Sequence, residues 1–227
     1  MSPVLSLLVY LLGISAALGV PLRSQVPSVA SFEASGGTFQ LSPHVQIVVD
    51  ENYAHYGTPS LLDFAKTFQQ DLKEVVKYVN SVSLSMSSDT SSSTGIGAST
   101  ITLTLDTSLR YSLYNGDATG EGYDFRINRD AYIIEASAPI GVWWGTRTLL
   151  QQATLQLAQG AETVSFPMGH GSDSPGWEVR GFMLDAGRHW FESSFLGQCT
   201  CNQKVATYAQ RDHAPQEISA SMPLSLS

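Results

Sequence analysis

Apolar residues recur along this chain with two different periods, and the change of period marks out its elements. Leu61, Ala65, Phe68, Leu72, Val75 and Val79 return at steps of three and four, and Leu62 and Val76 widen the stripe. Lys66, Gln70, Lys73 and Lys77 take the opposite face. That spacing predicts an amphipathic helix lying on a core. Thr58-Pro59 offers one start, with Thr as N-cap and Pro at the first helical position; Ser60 with Asp63 offers another one turn later.

Period two takes over elsewhere. His44–Asp50 is rich in β-branched residues and predicts a strand. Thr100–Asp106 alternates strictly, which turns Ile101, Leu103 and Leu105 to the core and the threonines outward. Gly122–Ile127 and Ala131–Ala136, joined by Asn128-Arg129-Asp130, predict a hairpin. A second helix is expected from Val142 to about Gln159, led in by Ala138-Pro139-Ile140-Gly141 and stopped by Gly160. Gly145 inside it weakens the helix by roughly 1 kcal/mol against Ala, so a close approach to the sheet is expected there. Trp143 and Trp144 are expected in core packing with one edge exposed.

The remaining stretches carry neither period. Residues 20–37 form a polar leader rich in Pro and Ser, Ser81–Ser99 a Ser-rich surface loop, and Phe166–Pro175 a linker of Pro, Gly and Ser. After it comes a short apolar run, Val179–Leu184, opened by Arg180 and closed by Asp185, Arg188 and His189. A short apolar run of this kind predicts a buried strand. An unpaired buried charge is costly, so Arg180 is either stapled by an ion pair to Asp185 or Glu178, or delivered into a pocket. The fold class read from this order is α+β, a mainly antiparallel sheet backed by two helices.

Composition narrows the functional classes. The 227 residues are 43% hydrophobic and 14% charged, enough apolar material for a core. A net charge of -8 argues against a nucleic-acid backbone or an anionic membrane as partner, and leaves a neutral sugar unaffected. Val4–Leu12 is apolar apart from Ser6 and leads to the small-x-small site Ala17-Leu18-Gly19. This is the pattern of a secretory signal peptide covering residues 1–19, although its first residues lack a Lys or Arg. Cys199 and Cys201 lie two apart, without a zinc half-site spacing, and are read as incidental thiols. No metal or cofactor is implied, and the scattered histidines 44, 55, 170 and 213 are placed at the surface.

Two motifs carry a resemblance. Glu121-Gly122-Tyr123 through Ala136, followed by Gly141-Val142-Trp143-Trp144-Gly145-Thr146-Arg147-Thr148-Leu149-Leu150-Gln151, resembles the N-terminal domain of family 20 glycoside hydrolases, the β-N-acetylhexosaminidases. Arg180-Gly181-Phe182-Met183-Leu184-Asp185-Ala186-Gly187-Arg188-His189-Trp190-Phe191 is similar to that family's R-G-x-x-x-D-x-x-R-H-[FYW]-F, the first strand of its (β/α)8 barrel. Secreted fungal members are the nearest in style. The resemblance implies a retaining hydrolase that removes terminal N-acetylhexosamine, with the substrate's own acetamido oxygen as nucleophile. It implies an Asp that orients that group and an adjacent Glu that protonates the leaving oxygen. The implied partners are N-acetylglucosamine-containing oligosaccharides or glycans. Arg180 corresponds to an arginine that binds sugar hydroxyls, whereas Asp185 and Arg188 are assigned a supporting ion-pair role and His189 packing or a hydrogen bond to the next loop.

The domain plan that follows is 1–19 signal peptide, 20–37 leader, 38–168 N-terminal domain, 169–176 linker, 177–196 first barrel strand, and 197–227 divergent tail. A barrel needs roughly 200 residues or more, and about 50 remain from Trp177 onward. No Asp-Glu pair follows Trp177, so no catalytic residue is assigned. A truncated chain without turnover is expected; the alternatives are a non-catalytic carbohydrate-associated module and a product without function.

Overall fold

The computed structural model describes residues 28–88, 98–180 and 192. The chain divides into two units, Met1–Val179 and Arg180–Ser227. Nearly all described residues belong to the first.

That unit is one seven-stranded sheet with two helices. The strands are β1 (Ser31–Gln40), β2 (His44–Asp50), β3 (Ser81–Ser87), β4 (Ser99–Leu105), β7 (Tyr123–Ile127), β8 (Ala131–Ala136) and β9 (Ser165–Asp173). A separate two-stranded ribbon pairs β5 (Tyr111–Ser112) with β6 (Ala118–Thr119). The helices are α1 (Leu61–Val75) and α2 (Pro139–Ala158). Across the sheet the order is β1-β9-β7-β8-β4-β2-β3. Its β1-β9-β7-β8 part is antiparallel, and its β8-β4-β2-β3 part is parallel.

The α+β class with two helices on a sheet stands, and the pairing is evenly mixed between the two senses. Parallel neighbours need a crossover, usually helical. Here α1 carries the chain from β2 to its parallel neighbour β3, and α2 carries it from β8 past β7 to β9. The helices pack against each other, α1 over β2 and β3 and α2 over β4, β7 and β8.

Helix α1 follows its sequence pattern. Leu61, Phe64, Ala65, Phe68 and Leu72 are buried against the sheet. The later of the two expected starts is the one used: Ser60 is the N-cap, its hydroxyl accepts from the Asp63 amide at 3.2 Å, and the Asp63 carboxylate reaches back to the Ser60 amide at 3.2 Å. Such a capping box satisfies two amides that the helix itself leaves open. The stripe ends at Val75, and Val79 is buried beyond the helix.

Helix α2 starts three residues earlier than expected, with Pro139 at its first position. It is buried nearly all round, from Val142 to Gln156. Gly145 has the expected close approach: a Cβ there would sit 2.4 Å from Cγ2 of Ile134 on β8 and 3.1 Å from the Tyr123 ring on β7. Trp143 is fully buried, and Trp144 keeps an edge to solvent while its Nε1 donates to Glu121 Oε2 at 2.9 Å.

Three readings of patternless segments are corrected. The polar leader holds most of the first strand, β1, which starts at Ser31, continues past the leader to Gln40 and is exposed on most of its length. The Ser-rich loop begins with β3, an edge strand parallel to β2. The Pro/Gly/Ser linker is mostly β9, which sits between β1 and β7 and runs to Asp173. Their small and polar side chains hide them from a hydrophobic pattern; they are strands because neighbours accept and donate their backbone hydrogen bonds. Pro167 in β9 pairs only with β1, and β7 joins the ladder two residues later, at Gly169. Gly171 is needed because a Cβ there would lie 2.4 Å from the Phe125 ring, which stacks on Phe32 with centroids 5.9 Å apart.

The threonines of β4 also depart from expectation. Thr100, Thr102 and Thr104 are buried along with Ile101, Leu103 and Leu105. β4 lies in mid-sheet, flanked by β2 and β8, and is buried along its whole length.

Candidate functional site

The residues expected to contact sugar lie at the end of the described chain. Arg180 is exposed, and neither it nor Val179 belongs to a strand. The strand expected over Val179–Leu184 is therefore not found at its first two positions. Asp185, Arg188 and His189 lie outside the described residues, as do the signal peptide, Cys199, Cys201 and the tail 197–227.

Carboxylates elsewhere were tested for the chemistry of an acid paired with an orienting Asp. The chain has one adjacent Asp-Glu pair, Asp50-Glu51. Asp50 ends β2 and is buried. Its Oδ1 accepts from the Asn52 amide at 3.0 Å and the Asn52 side chain at 3.1 Å, and its Oδ2 accepts from Thr104 Oγ1 at 2.8 Å. Both oxygens of Asp50 are committed to capping the 3-10 turn Glu51–Tyr53 and to β4, so Asp50 is a structural residue.

The outer face of the sheet, away from the helices, carries a second group. A shallow groove there is lined by Glu33, Asp124, Arg126, Glu135, His170 and Ser172. Asp124 and Glu135 are direct partners across the β7–β8 ladder, which sets like charges side by side. Burial raises the Glu135 pKa, and Asp106 and Asp124 add to the rise while Arg126 opposes it. His170 Nε2 lies 3.5 Å from Glu33 Oε2, with both side chains largely in solvent. An exposed pair of this kind contributes about 0–1 kcal/mol. Among the described residues no His, Cys, Asp and Glu cluster could hold a metal.

The most enclosed polar group joins β7, α2 and β9. Tyr123 Oη donates to Asp173 Oδ2 at 3.1 Å, and Thr148 Oγ1 lies 2.5 Å from the same phenol oxygen, which can accept from it. Asp173 Oδ1 also accepts from the Ala30 amide at 3.2 Å. Burial holds both the phenol and the carboxyl above their ordinary pKa, and the Asp173 charge adds to the rise at Tyr123. Nearby in α2, the Arg147 guanidinium is buried, pairs with Asp71 of α1, and lies 3.6 Å from the centroid of the Trp143 ring. Burial lowers its pKa, and the hydrogen bond to Asp71 opposes that. None of these groups lines the groove on the outer face of the sheet. They fix helix to helix and helix to sheet, and sequence reading had no signal for Asp173 because its partners are distant along the chain.

This same hairpin and helix hold the first of the two family-like motifs, now seen as a packed unit ending in β9. The family model for glycosyl hydrolase family 20, domain 2, matches residues 24–173. The chain belongs to family 20 of the glycosyl hydrolases. The match ends on the last residue of β9 and includes β1. Family 20 enzymes of known structure share the fold. N-acetyl-β-hexosaminidase of Streptomyces plicatus, in complex with Thio-NAglucal, has a TM-score of 0.56 at 18% identity, over 82% of this chain and 33% of its own. The β-N-acetylhexosaminidase of Streptomyces coelicolor A3(2) gives 0.55 at 20% identity, over 83% and 34%. The exo-β-N-acetylglucosaminidase of Vibrio harveyi, in complex with N-acetylglucosamine, gives 0.53 at 18%, over 81% and 24%. The family 20 chain thus spans about a quarter to a third of these solved relatives. No curated protein matches it.

Proposed function

We propose that this family 20 chain serves the hydrolysis of terminal, non-reducing N-acetylhexosamine residues by the substrate-assisted retaining route. The described α+β domain is a support without catalytic groups, and Arg180 contributes to sugar binding in the catalytic portion of the enzyme. The observation that carries this reading is the family match over residues 24–173, followed directly by the Arg180–Phe191 motif. A planar guanidinium fork suits vicinal sugar hydroxyls. The substrate class is N-acetylglucosamine-containing oligosaccharides or glycans, in keeping with the ligands bound in the solved relatives. The 227 residues by themselves do not turn substrate over, because no Asp-Glu pair follows Trp177 and the carboxylate of Asp50, in the one pair present, is spent on structure. Secretion is part of the proposal and rests on the apolar run Val4–Leu12 before Ala17-Leu18-Gly19.

A fluorogenic N-acetylglucosaminide assay on the purified 227-residue protein tests the central point. No release above buffer is expected; turnover that disappears in Arg180→Ala would overturn the claim of inactivity. Titration calorimetry with chitobiose addresses the alternative of a carbohydrate-binding module, which heat saturating at millimolar sugar would favour. Expression with its leader in a secreting host should yield a mature N-terminus near Val20, and an intact Met1 in the medium or retention in the cell would remove the secretion reading.

A further inference from the structure

The stretch Asp173-Ser174-Pro175-Gly176-Trp177 has the composition of a flexible linker, yet almost every residue in it is held. Asp173 is anchored by the Ala30 amide and the Tyr123 phenol. Ser174 Oγ donates to the carbonyl of Ser112 at 3.1 Å. Pro175 has its φ locked by its own ring. The carbonyl of Gly176 accepts from the Tyr114 amide at 2.9 Å. Trp177 meets the Tyr114 ring edge to face, with centroids 5.8 Å apart and planes at 88°.

Three of these contacts come from the β5–β6 ribbon and its tip. The ribbon is itself fixed. Leu113 is buried, its amide donates to the Asp117 carbonyl at 2.9 Å, and Gly116 donates to the Leu113 carbonyl at 3.0 Å. At its root the Tyr111 ring lies on Gly122, where a Cβ would be 2.1 Å from the ring. At its tip the Tyr114 ring lies on Gly176, where a Cβ would be 2.2 Å away. Ring-on-glycine contacts at both ends let the ribbon sit flat on backbone. Tyr114 is 81% exposed and covers no core, so packing alone does not account for it.

We propose that the β5–β6 ribbon is a clasp, and that it makes residues 173–177 a rigid strut rather than a hinge where the chain leaves β9. The chain then departs from one fixed point, Trp177, instead of swinging from Asp173. This inference does not depend on the hydrolase reading.

Hydrogen exchange and limited chymotrypsin digestion of the 227-residue protein test it. In the wild type the Tyr114 amide should exchange at least about tenfold more slowly than an open loop amide, and the Trp177–Glu178 bond should resist cleavage despite its exposure. Gly176→Ala, which pushes the Tyr114 ring off the backbone, and Tyr114→Ala should each speed cleavage there by about tenfold or more, with the melting temperature of the domain little changed. Loop-like exchange at Tyr114 together with rapid cutting at Trp177 in the wild type would overturn the proposal, as would variants that cut no faster than it. If a variant fails to fold, the wild-type exchange rates decide alone.

Discussion

The two halves of the sheet are built on different principles. In the parallel half, β4 and β2 are β-branched runs buried along most of their length, and α1, with Leu61, Phe68 and Leu72 buried, packs over β2 and β3. In the antiparallel half, β1 and β9 mix Ser, Gly and charged residues with a few rings: Phe39 and Phe166 are fully buried against each other, while most of the rest of β1 is exposed. What holds β1 and β9 is the ladder, a stacked Phe32–Phe125 pair across Gly171, and the Asp173 anchor. Both halves remove side-chain area from water, but at β1 and β9 the buried side chains are few, and there the sheet also depends on backbones approaching closely enough for a ring to rest on glycine.

Four substitutions should separate the halves, in decreasing order of effect. Phe68→Ala in α1 should destabilise the protein by about 3–5 kcal/mol, since a fully buried ring leaves a cavity. Calorimetric melting should show the loss as the largest fall in Tm. Gly171→Ala in β9 should cost about 1–3 kcal/mol, because the added methyl overlaps the Phe125 ring. Hydrogen exchange should place that damage in β1, β7 and β9 and spare β2 and β4. A neutral Gly171→Ala would mean that the antiparallel half does not depend on close approach. Ser60→Ala should cost about 1 kcal/mol through loss of the α1 cap, read from urea midpoints.

The smallest effect is on pH dependence. The folded-state pKa of Asp173 and of Glu135 is raised, chiefly by burial. The folded state therefore binds these protons more readily than the unfolded chain. Their contribution to stability grows as pH falls from neutral through the raised pKa values and levels off below the ordinary carboxylate range. Asp63 works the other way: hydrogen bonds from Ser60 lower its pKa, so its contribution is lost as pH falls through that lowered value. Asp173→Asn should flatten the gain on mild acidification, seen as a smaller rise in Tm between neutral and mildly acidic pH. An unchanged slope would show that Asp173 titrates normally in the fold.

Particular residues show how far the chain could be read. The α1 stripe, the hairpin and the need for Gly145 were all legible, because each is a local spacing or a local cost. Thr100, Thr102 and Thr104 were misplaced outward, since alternation records polarity and cannot say that a central strand is covered on both faces. β1, β3 and β9 were read as leader, loop and linker because their signal lies in partners more than a hundred residues away for β1 and β9. Among site residues, Arg180 was legible as a motif position, but its surroundings were not. The Tyr123–Thr148–Asp173 network joins three elements whose residues are unremarkable singly.

The sequence alone determined the two helices, the buried strands and the family, because hydrophobic period and motif residues are local properties of the chain. Tertiary structure alone decided the edges: that Ser-Gly-Pro segments are strands, that the sheet is half parallel, and that Asp173–Trp177 is held by the β5–β6 ribbon. The physical reason is that a strand of small polar residues has no side-chain driving force of its own. It exists only where another backbone completes its hydrogen bonds.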